Sequence, residues 1–159
     1  MSESAGRRIK RAILIRVSSI SFVADEQLQK LEKIERIASH ISQRKKEIEI
    51  ENQAKGADKS LMLNGRNLTN IGLFRHYALA YLQDHTEINK DLTLMVRQLA
   101  PTSEGVPIEV YVFSKDKVWV NYERIMSDIF DHLLAAIPYF ELECFEYNSN
   151  PDFSKKEKH

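Results

Sequence analysis

The fold is decided by residues 91–147, DLTLMVRQLAPTSEGVPIEVYVFSKDKVWVNYERIMSDIFDHLLAAIPYFELECFEY. Residues 92–99 and 108–114 are rich in β-branched and aromatic side chains, and Pro101 and Gly105 lie between them. This pattern predicts a β-hairpin with a long loop. From residue 140 the apolar side chains recur every second residue, which predicts a further strand.

A helix is predicted between the hairpin and this last strand. Asp116 is a candidate N-cap, and Pro138 is expected to end the helix. The apolar positions recur at helical spacing. They are Tyr122, Ile125, Met126, Ile129, Phe130, Leu133 and Ile137. The unit is therefore ββαβ.

Upstream residues predict one more strand and two helical segments. Residues 9–18 read as a strand with Ile9, Ile13, Ile15 and Val17 on one face. Asp25 and Glu26 open a helical segment that runs to about residue 51, as one long helix or two joined helices. Its apolar stripe is Leu28, Leu31, Ile34, Ile37, Ala38 and Ile41.

Residues 52–84 divide into a loop and a helix. Asn64 and Gly65 form a hairpin signal, which predicts a small β-ribbon with Leu61 and Leu63 on one side and Leu68 on the other. Thr69 or Asn70 is expected to cap a helix that ends near Asp84. The apolar stripe of this helix is Phe74, Tyr77, Ala78, Tyr81 and Leu82.

The order of elements predicts an α+β fold. A strand, a helical crossover, a hairpin, a second helix and a last strand form the ferredoxin-like split β-α-β sandwich, here with an elaborated N-terminal helical crossover. We expect a disordered N-terminal segment at 1–6, one domain at 7–150, and a charged tail at 151–159.

Composition limits the function. The 159 residues carry 23 Lys and Arg against 23 Asp and Glu, which disfavours nucleic acid and anionic membranes as partners. A single cysteine, Cys144, excludes an internal disulfide framework and a cysteine-based zinc cluster. The apolar runs are shorter than the ~20 residues that a bilayer span requires, and the N-terminus lacks a signal-peptide core.

The chain carries no recognised catalytic pattern. It has no GxGxxG, P-loop, GxSxG or HExxH sequence, so we expect no enzyme and no cofactor. Asp128 and His132, four residues apart on the predicted helix, are a candidate metal pair. A polar helix face beside the apolar stripe explains the same two residues more simply, and we expect no metal.

The two faces of the sheet differ in composition. If Ile108, Val110 and Val112 face the helices, their neighbours on the strand point the other way. The candidate subunit interface on this second face is Arg16, Arg97, Tyr111, Phe113 and Glu143, with Met95, Glu141 and Phe145 beside it. Its aromatic residues are similar to the base-stacking surface of RNA-recognition modules, but their signature is absent and the glutamates oppose phosphate. A protein interface and an ordinary exposed face remain the two alternatives.

Four separated stretches carry a resemblance to a known family. They are GRRIKRAI (6–13), LTNIGLFRHYALAYL (68–82), LTLMVRQLAPTSEGVPIEVYVFS (92–114) and DIFDHLLAAIP (128–138). Together they resemble the cytoplasmic C-terminal region of the small-conductance mechanosensitive (MscS) channel family, closest to its miniconductance subgroup. The resemblance covers roughly residues 1–153.

The resemblance implies a role in a larger channel. In that family a membrane part supplies the tension-gated pore, and the region similar to this chain closes a cytoplasmic cage of seven subunits. It implies a homo-oligomeric inner-membrane ion channel that responds to osmotic downshift. This domain would lie on the cytoplasmic side, and Met1 would be at an internal position of the full-length protein. The alternative is a free-standing ferredoxin-like regulatory module that binds a small ligand or RNA.

Overall fold

A computed structural model describes residues 5–147, and these form an α+β fold around a three-stranded antiparallel sheet. The strands are β1 (Arg7–Ile15), β2 (Met95–Gln98) and β3 (Val106–Ser114), in the spatial order β1-β3-β2. β3 is the central strand, which explains why it is buried along nearly its whole length. The predicted α+β class and the β2–β3 hairpin are confirmed.

Four α-helices surround one side of the sheet and its ends. They are α1 (Asp25–Leu31), α2 (Ala38–Lys55), α3 (Asn70–Asp84) and α4 (Trp119–Ala136). Short 3-10 turns occur at Val17–Ser19, Glu35–Ile37 and Ile137–Phe140. The helical segment that begins at Asp25 is therefore two joined helices, and the second continues to Lys55.

The largest part of the core lies between the sheet and helices α3 and α4, and Leu28, Leu31 and Ile41 of α1 and α2 extend it. All seven apolar positions predicted for α4 are buried, and Ile125, Ile129 and Leu133 are fully so. On α3, Phe74, Ala78 and Leu82 are buried with Tyr77, whereas Tyr81 is half-buried at the edge of the stripe. Burial of each such side chain contributes about 1.5–3 kcal/mol, which makes this layer the main source of stability.

The two predicted helix caps have different outcomes. Thr69 caps α3, because its Oγ1 accepts a hydrogen bond from the Gly72 amide at 3.1 Å. Asp116 is not the N-cap of α4, since the cap position is Val118. The Asp116 carboxylate instead accepts from the Val118 amide at 2.9 Å and from Asn121 Nδ2 at 2.8 Å, which shapes the turn before the helix.

Asn70 is a buried polar residue that joins three segments. Its Oδ1 accepts from the Ser21 amide at 2.9 Å, and its Nδ2 donates to the carbonyls of Ser19 (2.9 Å) and Phe140 (3.1 Å). The side chain is 0% exposed, so these bonds have no competition from water. Asn70 thereby holds the start of α3 against the 3-10 turns that follow β1 and α4.

The predicted last strand is wrong. Residues 137–140 form a 3-10 turn, and Glu141 adopts a left-handed backbone conformation with φ 56° that ends the turn. Beyond it, a single antiparallel bridge joins Cys144 to Ile15. The alternation of Leu142 and Cys144 reflects burial against the core rather than a paired strand.

The bounds of all three strands also differ from the prediction, and β3 begins at Val106 rather than at Ile108. β1 ends at Ile15, and Val17 lies in a 3-10 turn with 55% of its surface exposed, so it does not share the buried face of Ile9 and Ile13. β2 covers only 95–98 of the predicted 92–99.

The β-ribbon predicted from Asn64 and Gly65 is absent from the described chain. Lys59 organises this loop instead, because its ammonium donates to the carbonyls of Met62 (2.7 Å) and Asn64 and to Asn67 Oδ1 (2.6 Å). One ammonium group thus provides the hydrogen-bond donor for three oxygens of the loop, which need no strand pairing to be satisfied. Residues 1–4 and 148–159, and with them the predicted tail at 151–159, lie outside the described residues.

Candidate functional site

The candidate site is the face of the sheet opposite the helical core, which we call the open face. It consists of alternate residues of the three strands, and Tyr111 and Phe113 both lie on it in edge-to-face contact at 5.9 Å between ring centroids. Tyr111 is half-buried and stands opposite Lys10 and Met95 in the strand register. The prediction that Tyr111 faces away from the helical core is therefore confirmed.

Arg97 lies on the open face as part of an ion pair. Its Nε donates to Glu109 Oε1 at 2.9 Å, and the two residues are direct register partners on β2 and β3. The Glu109 side chain is only 7% exposed, whereas that of Arg97 is 47% exposed. A buried carboxylate needs a charged or hydrogen-bonded partner. The Arg97 guanidinium therefore serves first as the partner of Glu109, and only its remaining N–H groups are available to a second protein.

Arg16 and Glu143 form a second ion pair, at 3.4 Å between Nε and Oε1. Both side chains are well exposed, so this pair contributes little to stability. The Arg16 amide also donates to the Glu143 carbonyl at 2.8 Å, which fixes the two residues beside each other. The structure thus brings Arg16 to Glu143 and Arg97 to Glu109, as two separate pairs.

Phe113 is not available as an interface residue, and that part of the prediction is wrong. It is 0% exposed although it lies on the open face. The backbone of Gly6 packs on it, at a position where an added Cβ would lie 3.1 Å from Phe113 Cβ and 3.2 Å from Leu92 Cδ1. The Asn89 amide also donates to the Phe113 carbonyl at 2.8 Å. Segments before β1 and β2 therefore cover this end of the face.

Two basic residues of the open face were not among the predicted site residues. Arg8 and Lys10 are exposed on β1, and the Arg8 guanidinium lies 5.9 Å from the centre of the Tyr111 ring. They share the strand parity of Arg16, so the alternation that selected Arg16 also identifies them. The exposed part of the face is therefore more basic than predicted, because the carboxylates of Glu109 and Glu143 are already paired.

No protein-family model matches the sequence. Within residues 5–147, no three His, Cys, Asp or Glu side chains converge as a metal site would require. Over the same residues, none of the helices combines the length and the apolar character needed to cross a bilayer.

The candidate metal pair Asp128 and His132 has other partners. His132 Nε2 lies 2.6 Å from the Tyr77 hydroxyl, and its ring stacks on Tyr81 at 4.0 Å. Asp128 pairs with Arg124 at 3.6 Å. The two residues therefore belong to different contacts on the outside of α4, where a cavity of about 310 Å³ opens beside His132.

The rings of His40 and His76 lie against each other between α2 and α3, with centroids 3.8 Å apart and planes tilted by 31°. Burial lowers the pKa of His76 to about 4, and the neighbouring His40 and Arg75 add to this shift. Burial and Arg44 also lower the pKa of His40. Both rings are therefore neutral at pH 7, which permits them to lie in contact.

We expect the protein to lose stability as the pH falls from about 6.5 towards 4. In this range the unfolded chain protonates His76, whereas the folded chain does not, so protons favour the unfolded state. Urea denaturation at several pH values should show this slope. His76→Phe should reduce the slope and leave the part that comes from His40, His85 and His132, whose pKa values burial also lowers. An unchanged slope in His76→Phe would show that His76 titrates near its ordinary pKa; Ser42→Ala, on exposed α2 surface, is the control.

Proposed function

We propose that this chain is the cytoplasmic cage domain of a mechanosensitive channel subunit of the MscS family, miniconductance subgroup. Its role is structural: copies of the domain associate beneath the pore as a homoheptamer, and the full-length protein resides in the inner membrane with this domain on the cytoplasmic side. The domain binds other copies of itself, takes no nucleic acid or cofactor, and catalyses no reaction.

One observation carries the proposal. The four stretches that resemble the family coincide with the elements that build the core. Residues 6–13 lie largely in β1, 68–82 in α3, 92–114 in the β2–β3 hairpin, and 128–138 in the second half of α4 and the turn after it. Matches confined to loops would carry no information about fold, whereas these span both layers of the domain.

The proposal includes a ferredoxin-like topology. The sheet order β1-β3-β2 and the antiparallel bridge of Cys144 on the outer side of β1 support it. If the bridge is counted as a rudimentary fourth strand, the spatial order becomes that of the split βαβ fold. Helices α1 and α2 are then the elaboration of the first crossover.

The open face supports an assembly role. In a ring of identical subunits each copy offers two different patches, so the interface is heterologous. Arg16, Arg97, Tyr111 and Glu143 are accessible for one of these patches, whereas Phe113 is buried and does not take part. The contact between neighbouring copies of this domain is expected to be small, because the membrane part of the channel supplies further contacts between subunits.

The gene sequence upstream of Met1 tests the channel assignment directly. Several apolar segments, each about 20 residues long, are expected there. A native translation start at Met1 would contradict the channel assignment and favour the free-standing ligand- or RNA-binding module.

We expect a cysteine at position 97 to cross-link to a neighbouring subunit in the intact channel. Arg97→Cys, in a background of Cys144→Ser and Glu109→Gln, places a thiol on the exposed open face, and a maleimide–succinimide reagent would join it to a lysine within reach. The Glu109→Gln change removes the buried carboxylate charge that Arg97 otherwise compensates. Mixed isotopic labelling of subunits separates bonds between copies from bonds within one copy. Lys46→Cys, exposed on α2, serves as the control for random collision.

Mass spectrometry of the cross-linked peptides gives the outcome. Links between copies that are specific to position 97 support the open face as a subunit contact. Equal yields at positions 97 and 46 would remove this interface assignment and leave the channel assignment intact, since the latter rests on the sequence matches. The isolated chain is expected to sediment as a monomer or a weak small oligomer at micromolar concentration.

A further inference from the structure

β1 is an edge strand whose outer side is paired at one end. β3 occupies its inner side over all nine residues. On the outer side, the Phe145 amide donates to the Leu14 carbonyl at 2.9 Å, and the Arg16 amide donates to the Glu143 carbonyl at 2.8 Å. These two bonds show that the even-numbered residues of β1 direct their backbone groups outward.

The same alternation determines the direction of the backbone N–H and C=O groups nearer the start of β1. Backbone groups of successive residues in a strand point to opposite sides, so Lys10 and Ala12 also present N–H and C=O outward. Arg8 does so as well, and its carbonyl accepts a hydrogen bond from the Tyr122 hydroxyl at 2.5 Å. Among residues 5–147, no backbone group bonds to Lys10 or Ala12 from this side. Within residues 5–147, the outward backbone groups of Lys10 and Ala12 are therefore unpaired, and an unpaired edge is a template for another strand.

This edge is strongly basic on both of its faces. Arg7, Arg8, Lys10 and Arg11 are all exposed. The Arg7 and Arg11 guanidinium groups lie over the rings of Tyr122 (4.1 Å) and Phe130 (5.2 Å) on the helix side. Arg8 lies beside Tyr111 on the open face. None of the four cations forms an ion pair with a carboxylate of the described chain.

Apolar surface flanks the helix side of the edge. At helical spacing, Trp119 and Leu134 lie on the same side of α4 as Phe130, the residue that Arg11 covers. They are 66% and 46% exposed, although large apolar side chains of this kind favour burial. A strand added to β1 would therefore meet cations on its open-face side and both cations and apolar side chains on its helix side.

A second copy of this strand is a poor occupant. Pairing β1 with β1 places the arginines and lysines of one copy directly opposite those of the other, and like charges opposite each other destabilise a strand pair. We propose that the outer edge of β1 binds an extended acidic segment of a partner protein by strand addition. The segment carries carboxylates on alternate residues, which meet Arg8 and Lys10, and apolar residues between them. This inference does not depend on the channel assignment.

A short fluorescent peptide of alternating glutamate and valine, about seven residues long to match the free edge, is the probe. Anisotropy is expected to give a micromolar Kd that weakens as salt is added. Hydrogen exchange of the Lys10 and Ala12 amides should slow when the peptide is present, because those amides gain partners. The peptide with lysine in place of glutamate should not bind.

Two protein variants separate charge from strand pairing. Lys10→Glu should weaken binding on the order of tenfold, and Ala12→Pro should abolish it, because proline removes an outward N–H that the sheet itself does not use. Lys46→Glu makes the same charge change on α2 and should leave binding unchanged. If Ala12→Pro does not fold, a peptide methylated on the amides that face β1 tests the same bonds.

Each other outcome overturns the inference. Absence of binding at about 1 mM peptide would mean that the cations only protect the edge from aggregation. Unchanged binding in Ala12→Pro or with the methylated peptide would mean charge attraction without a strand. Tighter binding of a single-stranded oligonucleotide of equal charge would assign the surface to nucleic acid. If the wild-type protein self-associates and Ala12→Pro does not, the outer edge of β1 binds a second copy of this chain.

Discussion

Val112→Asp is expected to unfold the protein. Val112 is 0% exposed on the central strand and stands opposite the equally buried Ile9. An unpaired carboxylate at this position costs several kcal/mol, against a total stability of about 5–15 kcal/mol for a domain. Circular dichroism and urea titration should show loss of the cooperative transition.

The position matters as much as the substitution. Val110 is buried to the same degree, but it stands opposite Arg11, which would offer a new carboxylate a partner. Lys10→Asp introduces the same side chain on an exposed position of the sheet and should keep the cooperative transition. If Val112→Asp unfolded cooperatively with the same urea midpoint as the wild type, this would contradict the assignment of Val112 to the core.

Asn70→Ala is expected to cost about 3–5 kcal/mol. The change removes the side-chain partner of the Ser21 amide and of the Ser19 carbonyl, and it leaves the Phe140 carbonyl with only the longer bond of 3.4 Å from Gln27 Nε2. Each buried backbone group without a hydrogen bond costs roughly 1–3 kcal/mol. The urea midpoint measures the loss.

Asn64→Ala is the matched control, because Asn64 also bonds to backbone but lies on an exposed loop. Its effect should stay below about 1 kcal/mol. Asn70→Asp retains the acceptor and loses both donated bonds, so it should also destabilise strongly. Equal small effects of Asn70→Ala and Asn64→Ala would mean that water replaces the lost bonds.

Strong periodicity explains the part of the fold that the sequence predicts. The α4 stripe from Tyr122 to Ile137 follows the helical repeat over several turns, and one arrangement only buries all of it. The alternation in β3 likewise separates Val110 from Tyr111. Thr69 was identifiable because a hydroxyl before a helix has one common role there.

The predictions are wrong where contacts between residues that are distant in the sequence determine the local structure. Residues 140–145 alternate as a strand does, but Glu141 turns the backbone, and the contact with β1 is a single bridge between Cys144 and Ile15 with the two hydrogen bonds beside it. Parity placed Phe113 on the open face and could not reveal that Gly6 covers it, because alternation says nothing about neighbouring segments. The Lys59 network replaced the predicted ribbon for the same reason: its oxygens converge only in the folded loop.

The pairing of β1 with β3 sets the order of events on the ribosome. The first strand finds its partner only when residues 106–114 have emerged, almost a hundred residues later. Until then α1, α2 and α3 have no sheet to cover, and their apolar stripes stay accessible to chaperones. A pause in translation before residues 106–114 have emerged from the ribosome would prolong this interval, while a later pause would have little effect. Synonymous codon choice within the β2–β3 hairpin therefore bears on the yield of folded chain.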